Sequence, residues 1–453
     1  MAYICQNCAG RWSKWSGQCP TCAAWNTLNE EAVLRPGKTN ASPYLKLATP
    51  SLTNLATISN AGAELRLSSG LLELDLVLGG GLVIGSVILL GGDPGIGKST
   101  LVLQVLAHLS KQHKVIYVSG EESLAQVTLR AQRLNLAAMP MLLLAHNNVE
   151  QILQLVAKEQ PQVVIIDSIQ TMYTELLAAT PGSVSQVRES AAQLSVFAKQ
   201  HNITLWLIGH VTKEGTLAGP RVLEHMVDTV LYFENAMTDN RYRIVRAVKN
   251  RFGPANEIGV FAMTAKGLRA LNNPSAIFLS RHAGEIAGSV TMAAKEGSRP
   301  LLIEVQALAA PSNSPSPRRL GVGLDTQRLM MLLAILHRHG GIVSHNYDIF
   351  VNIVGGIQVN EPAADAAILL AIASSVQNIP VPTDLVVFGE VGLAGELRPI
   401  HSGQERLREA RKHGFKQALI PVANAPPEEL QDFKIYAATS ITTLLEYFNK
   451  QVL

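Results

Sequence analysis

Aromatic residues make up only 5% of this 453-residue chain, and its four cysteines all fall within the first 22 positions. No apolar run reaches the roughly 20 residues that a membrane-spanning helix needs. Neither charge sign dominates: 38 Lys and Arg against 35 Asp and Glu leave a net +3. Each shortage excludes something. The missing apolar run excludes a helical membrane span. The near-neutral balance excludes a globally basic nucleic-acid binder, so any such contact must come from local patches. The N-terminus has Cys5 and Cys8 where a secretory leader would need a basic and then an apolar stretch. The expectation is a cytoplasmic protein, a reducing setting in which cysteines serve as metal ligands rather than disulfides. What is abundant is aliphatic: the hydrophobic fraction is 47%. That suits Val/Ile/Leu/Ala-rich α/β layers, and the length calls for two or three domains.

The most informative stretch is Gly92-Asp93-Pro94-Gly95-Ile96-Gly97-Lys98-Ser99, followed by Thr100. It fits the phosphate-binding loop G-x-x-x-x-G-K-[ST], and its surroundings fit too. Val87–Leu90 reads as a buried strand before it, and 100–109 reads as a helix after it. Glycines let backbone N–H groups turn inward around a phosphate, and the helix N-terminus adds partial positive charge. Lys98 is expected to reach the β- and γ-phosphates of ATP, and the Ser99 hydroxyl to ligate Mg2+. The run Val163-Val164-Ile165-Ile166-Asp167, about 70 residues further on, ends in a carboxylate suited to holding the same Mg2+. A carboxylate must also activate water. Val118-Ser119-Gly120-Glu121-Glu122 closes another apolar strand and offers two, with Glu121 preferred and Glu122 the competitor. His210 and Thr212, after the apolar run 204–208, are placed to sense the nucleotide and signal to the loop 213–220, or they are simply a polar strand end.

Cys5-x-x-Cys8 and Cys19-x-x-Cys22 are two close pairs with ten residues between them. Each pair offers two thiolates, and together they complete a tetrahedral Zn2+ site with no open position, hence a structural one. So short a module has no core of its own, and metal binding should supply its folding energy. Trp12, Trp15 and Trp25 are expected to pack on this knuckle, with stacking on bases or a partner as the alternative.

The chain then divides into a four-cysteine zinc module over 1–28, a polar linker over 29–60 containing Pro36, Pro43 and Pro50, an ATPase domain over 61–270, and a third region over 271–453. Candidate strands in the ATPase domain are 87–90, 115–118, 163–166, 204–208, 229–233 and 242–248. They alternate with helical segments at 124–134, 148–158 and 185–199, which predicts a parallel sheet covered by helices on both faces. Pro311–Pro317 reads as a surface loop. Arg241, Arg243, Arg246, Lys249 and Arg251 place five basic residues within eleven. Part of that run reads as a solvated strand face, but Lys249-Asn250-Arg251-Phe252-Gly253 falls in a loop from which a charge can reach a neighbour.

The cysteine pairs, Leu78-Gly79-Gly80-Gly81-Leu82, the phosphate loop and Lys249–Gly253 together resemble the bacterial RadA (Sms) family of recombination proteins over essentially the whole chain. That resemblance implies a RecA-like P-loop core, α/β in class, between an N-terminal zinc module and a C-terminal α/β domain like that of Lon protease. It implies a hexameric ring that binds single-stranded DNA, hydrolyses ATP, drives branch migration of recombination intermediates and works beside a RecA-type recombinase. Glu121 matches the family's activating glutamate, and Lys249 and Arg251 are implied to act on ATP or DNA at a subunit interface. In the Lon-like region, Phe388–Ile400 is similar to a strand and turn of the protease. The positions matching its Ser–Lys pair are Asp365 and Gln404, neither of which supplies a nucleophile or a base, so no peptidase activity is expected. Arg318, Arg319, Arg406, Arg408, Arg411 and Lys412 are candidate phosphate contacts, or solvated surface. A zinc-dependent adaptor with ATP as its switch is the alternative function.

Overall fold

The computed structural model describes residues 2–8, 10–31, 66–210, 222–235, 241–271, 275, 278–279, 284, 286–355, 358–359, 361–428 and 430–450. Two compact units divide the chain, residues 1–235 with 241–271, and 236–240 with 272–453.

The first unit opens with a small antiparallel sheet in which β1 (Ala2–Cys5) lies between β2 (Arg11–Trp12) and β3 (Leu28–Glu31). β3 carries three residues of the expected linker into this sheet. The rest of that segment, with its prolines, lies outside the described residues. A short ladder follows, formed by β4 (Arg66–Leu67) and β5 (Leu82–Val83), with α1 (Leu72–Val77) between them.

The body of the unit is a nine-stranded sheet. Its strands are β6 (Val87–Gly92), β7 (Val115–Ser119), β8 (Leu142–Ala145), β9 (Val163–Asp167), β10 (Thr204–Ile208), β11 (Thr229–Asn235), β12 (Tyr242–Asn250), β13 (Ile258–Thr264) and β14 (Gly267–Ala270). They are ordered β14-β13-β12-β11-β6-β10-β9-β7-β8. β6, β7, β9 and β10 are buried at every position, as continuous aliphatic runs covered on both faces should be. One apolar layer joins α1, α2 (Lys98–Leu109) and α3 (Leu124–Arg133) to one face. A second joins α4 (Val149–Glu159), α5 (Val184–Gln200) and α6 (Val222–Met226) to the other. Three of these helices begin at side-chain caps: Ser123, Asn148 and Ser183 accept from backbone N–H groups in the first turn.

The sheet is not parallel throughout. β8, β7, β9, β10, β6 and β11 are parallel, but β12, β13 and β14 pair antiparallel. The expectation that 242–248 continues a parallel sheet is therefore corrected. The reason is local: only residues 236–241 join β11 to β12, and a parallel crossover needs a dozen residues or more.

The second unit is built on a seven-stranded mixed sheet. Its strands are β15 (Ser289–Glu296), β16 (Arg299–Pro311), β17 (Arg319–Val322), β18 (Tyr347–Ile353), β19 (Leu385–Val387), β22 (Gln417–Pro421) and β23 (Lys434–Ala438), with a separate hairpin of β20 (Glu390–Val391) and β21 (Leu397–Arg398). Four helices accompany it: α7 (Thr326–Gly340), α8 (Asp365–Gln377), α9 (Gly403–Lys412) and α10 (Ile441–Lys450). The first ten residues of α8 are all buried. No helix among the described residues is long and apolar enough to cross a membrane.

Candidate active site

The register of the parallel strands decides what meets. Leu90 of β6 pairs with Ile208 of β10, Ile208 with Asp167 of β9, and Asp167 with Ser119 of β7. All four strands therefore end at one level, and the residues that follow them share one edge. These are Gly92–Ser99, His210, Ser168 and Glu121. Crevices at the C-terminal ends of parallel strands are where such sheets bind ligands.

The loop is shaped by its glycines. Gly92, Gly95 and Gly97 have φ of +155°, +78° and +117°, which side chains strongly disfavour. A Cβ on Gly92 would also lie 2.5 Å from the Phe233 carbonyl. Gly97 caps α2 without any side-chain bond, so the first-turn N–H groups of Lys98, Ser99 and Thr100 face the loop as an anion-binding set. Lys98 is buried, and its Nζ donates to Gly92 O at 2.7 Å and Asp93 O at 2.8 Å. Burial pushes its pKa down, while Asp167, Glu121 and Asp93 pull it back up.

Around Lys98 stand the residues that the sequence singled out. His210 bridges two of them: Nδ1 lies 3.2 Å from Lys98 Nζ and Nε2 lies 3.1 Å from Glu121 Oε1. Glu121 also accepts from the Ser168 hydroxyl. The bond to His210 is the main reason that its carboxyl sits at about 2, with Ser168 and the charges of His210 and Lys98 adding to it against desolvation. Glu122 points elsewhere, into an ion pair with Arg130 of α3. Asp167 is buried and accepts from the Tyr117 hydroxyl. Tyr117, Ser168 and Gln170, whose Nε2 donates to His210 O at 3.3 Å, were not singled out from the sequence. Nothing in their spacing marks them, because their partners lie on other strands. Thr212 and the loop 213–220 lie outside the described residues.

Lys249 and Arg251 do not join this group. Asn250 pairs with Thr229, and Thr229 with Ile88 near the start of β6. That places Lys249–Gly253 at the opposite edge of the sheet, about 13 Å of strand away from Gly92. Lys249 Nζ donates to the carbonyls of Glu224 (2.7 Å) and Val227 (2.8 Å) at the end of α6. Arg251 pairs with Asp228 at 3.2 Å, its side chain still 55% exposed. The loop rests on the glycine-rich turn before β5. Arg66 donates to Phe252 O at 2.6 Å and Leu78 O at 3.2 Å, and a Cβ on Gly253 would lie 3.0 Å from Gly79 Cα. Arg243, read as solvated strand face, instead donates to Ile96 O of the phosphate loop at 3.0 Å.

In the zinc module the four Sγ atoms of Cys5, Cys8, Cys19 and Cys22 lie within 4.8 Å of one another. The Cys5–Cys22 and Cys8–Cys19 separations are both 3.6 Å. Four thiolates at about 2.3 Å from a tetrahedral Zn2+ stand roughly 3.8 Å apart, so the set fits the ion. Trp12 packs against this cluster. Trp15 and Trp25 do not, at 58% and 69% exposed. The expectation that all three pack on the knuckle is corrected: too little core exists to cover them.

In the second unit Asp365 is 1% exposed, paired with Arg328 and accepting from Val391 N at 3.0 Å. Burial pushes its carboxyl up against the pull of Arg328. Gln404 Nε2 donates to Asn424 O at 3.0 Å. Arg406 is not a phosphate contact. It is 2% exposed and spends its guanidinium on Ala293 O and the Glu361 carboxylate. Arg319 donates to the carbonyls of Arg318, Ser344 and Tyr347. Arg408, Arg411 and Lys412 are exposed on α9.

Three family models match parts of the chain: a rubredoxin metal-binding domain over residues 3–30, an AAA domain over 65–216, and subunit ChlI of Mg-chelatase over 333–424. Whole-length relatives are similar as well. The DNA repair protein RadA of Pseudomonas aeruginosa is 53% identical over 447 residues, 98% of each chain. That of Escherichia coli is 48% identical over 461 residues, 99% of this chain and 98% of its own. That of Bacillus subtilis is 46% identical over 425 residues, 93% and 92%.

Proposed function

The chain belongs to the family of the DNA repair protein RadA, and from that premise we propose that it is a DNA-stimulated ATP hydrolase. In this reading it moves on single-stranded DNA, promotes branch migration of recombination intermediates beside a RecA-type recombinase, and does so as a ring. The observation that carries the reading is the split of its machinery. Lys98, Glu121 and Asp167 share one edge of the sheet, whereas Lys249 and Arg251 stand at the other; in this reading one subunit alone holds half of a site.

ATP is the substrate, cradled by the backbone of Gly92–Thr100. Lys98 reaches its β- and γ-phosphates. Ser99 and Asp167 would hold Mg2+, which when bound neutralises charge on the phosphate oxygens. The ionised Glu121 orients the attacking water and receives its proton. His210, bonded to both Lys98 and Glu121, registers whether the γ-phosphate position is filled. Lys249 and Arg251 stabilise the developing charge on the substrate of the adjoining subunit, the part played by an arginine finger in trans. Cys5, Cys8, Cys19 and Cys22 hold Zn2+ as a structural ion.

The test is the ATPase rate with and without single-stranded DNA, paired with electron microscopy for a ring. Stimulation that vanishes in Lys98→Ala and is strongly reduced in Lys249→Ala supports the reading. A rate indifferent to single-stranded DNA sinks it. A second role, that of adaptor, is favoured by the exposed Trp15 and Trp25. If a variant lacking residues 1–28 keeps DNA-stimulated hydrolysis but no longer binds a recombinase, the module is the docking part.

A further inference from the structure

Asp228 stands at the sheet edge of the Lys249–Gly253 loop, where it also meets the start of the phosphate-loop strand. It is the residue before β11, is 3% exposed, and uses every polar atom it has. Toward the phosphate-loop strand, its N–H donates to Val87 O at 2.9 Å and its Oδ2 accepts from Val87 N at 3.0 Å. Toward the Lys249–Gly253 loop, its carbonyl accepts from Arg251 N at 3.1 Å and its Oδ1 accepts from the Arg251 guanidinium at 3.2 Å. Lys199 of α5 adds a second cation on Oδ1 at 2.9 Å. One buried residue thus ties the first residue of β6 to Arg251, its carboxylate joining the Val87 N–H to the guanidinium and its carbonyl holding the Arg251 N–H.

A buried carboxylate is stable only when its lone pairs are filled. Oδ2 satisfies the buried Val87 N–H, while Oδ1 fixes where the Arg251 guanidinium sits. Arg251 is held at both ends, its N–H on the Asp228 carbonyl and its Nη1 on Oδ1, while its side chain remains more than half exposed. One guanidinium nitrogen is spent on its own fold, and the exposed remainder of the group keeps N–H donors for a phosphate.

We propose that Asp228 is a positioning residue that aims Arg251 at the substrate of the adjoining subunit. This rests on the reading that Arg251 acts in trans. Asp228 touches no reacting atom, so its removal should leave nucleotide binding by its own loop intact and lower turnover on its neighbour.

Subunit mixing tests it, with the full-length chain and its zinc. Asp228→Asn keeps the shape of the side chain but not its charge. Alone, it is expected to lose about ten-fold in DNA-stimulated kcat, with KM for ATP within two-fold of wild type, because a finger displaced by about an ångström loses most of its effect. Mixed with Lys98→Ala it should regain activity, since Lys98→Ala subunits carry a correctly aimed Arg251 for the intact loops of Asp228→Asn. Arg251→Ala mixed with Lys98→Ala is the reference. If the reference mixture recovers and the Asp228→Asn mixture does not, the defect lies in its own loop and the proposal is overturned while the trans reading stands. If neither recovers, the trans reading falls and takes the proposal with it. Wild-type kcat in Asp228→Asn also overturns the proposal. Should Asp228→Asn fail to fold, Asp228→Glu carries the same test, keeping the charge but moving it by one methylene. If both fail to fold, Asp228 is a folding residue and nothing more.

Discussion

Lys98 and Glu121 stand on either side of one imidazole, and that geometry sets what each should do when changed. Lys98→Ala removes the cation of the loop without touching the glycines that shape it. It should abolish hydrolysis while leaving the far-ultraviolet spectrum and the melting temperature within a few degrees of wild type. Glu121 carries the clearest pH consequence. Its carboxyl is depressed from 4.5 to about 2, chiefly by the His210 bond. A group that binds its proton less readily in the folded state stabilises the fold above its unfolded pKa. That stabilisation is complete above about 4.5 and is lost as the pH falls toward about 2. His210→Ala should return Glu121 toward the ordinary carboxylate range and flatten this acid dependence. Carboxyl titration by NMR in the two proteins checks it, and an unmoved Glu121 would show that His210 is not the cause. Residues of this kind divide sharply in how legible they are. Lys98, Ser99 and Asp167 follow from strand, loop and helix read in order. Tyr117 on Asp167 and Asp228 on Arg251 join positions 50 and 23 residues apart, and no local pattern announces them.

At the scale of elements, α9 shows why one candidate contact was misread. Gly403, Arg406, Leu407 and Ala410 are its buried residues, at the i, i+3, i+4, i+7 spacing of one helical face. Leu407 and Ala410 already mark that face in the sequence, so the burial of Arg406 was there to be found. The antiparallel pairing of β12 was there to be found as well, since the residues between the expected strands 229–233 and 242–248 are too few for a parallel crossover. Two elements invite tests. Among its described residues, the module around β1–β3 buries little beyond Ile4, Cys5, Cys19 and Leu28. Zinc binding worth roughly 10–16 kcal/mol in such modules should therefore decide whether it folds. A strong chelator, or Cys19→Ser, should unfold it while the melting transition of the nine-stranded sheet stays in place. Loss of that larger transition would contradict the separation. The loop after β12 is tested by Gly253→Ala. Its new Cβ would meet Asn250 Nδ2 at 2.9 Å and Gly79 Cα at 3.0 Å, an overpacking of about 1–3 kcal/mol. Stability should fall by that much, and DNA-stimulated turnover more than nucleotide binding.

For the whole molecule, two features bear on what the chain cannot do alone. In the second unit Asp365, the carboxylate expected at the position of a Lon nucleophile, is engaged by Arg328 and Val391 rather than facing solvent. Asp365→Ala leaves the buried Val391 N–H unpaired and frees the partly exposed Arg328 guanidinium, which should cost about 1–3 kcal/mol without creating or removing peptide cleavage. Casein hydrolysis beside a denaturation curve checks both. In the first unit the loop that binds substrate and the cations proposed to complete it occupy opposite edges of one sheet. A single subunit cannot bend that sheet to bring them together, since every strand between them is paired on both sides. In the trans reading proposed above, completion takes a second copy, and specific activity should rise with protein concentration until assembly is complete. It should fall on dilution in step with the oligomer measured by sedimentation, while nucleotide binding to the dissociated subunit persists. Full specific activity at concentrations where only monomers sediment would mean that Lys249 and Arg251 are not needed by any site, and the division of labour across the sheet would lose its purpose.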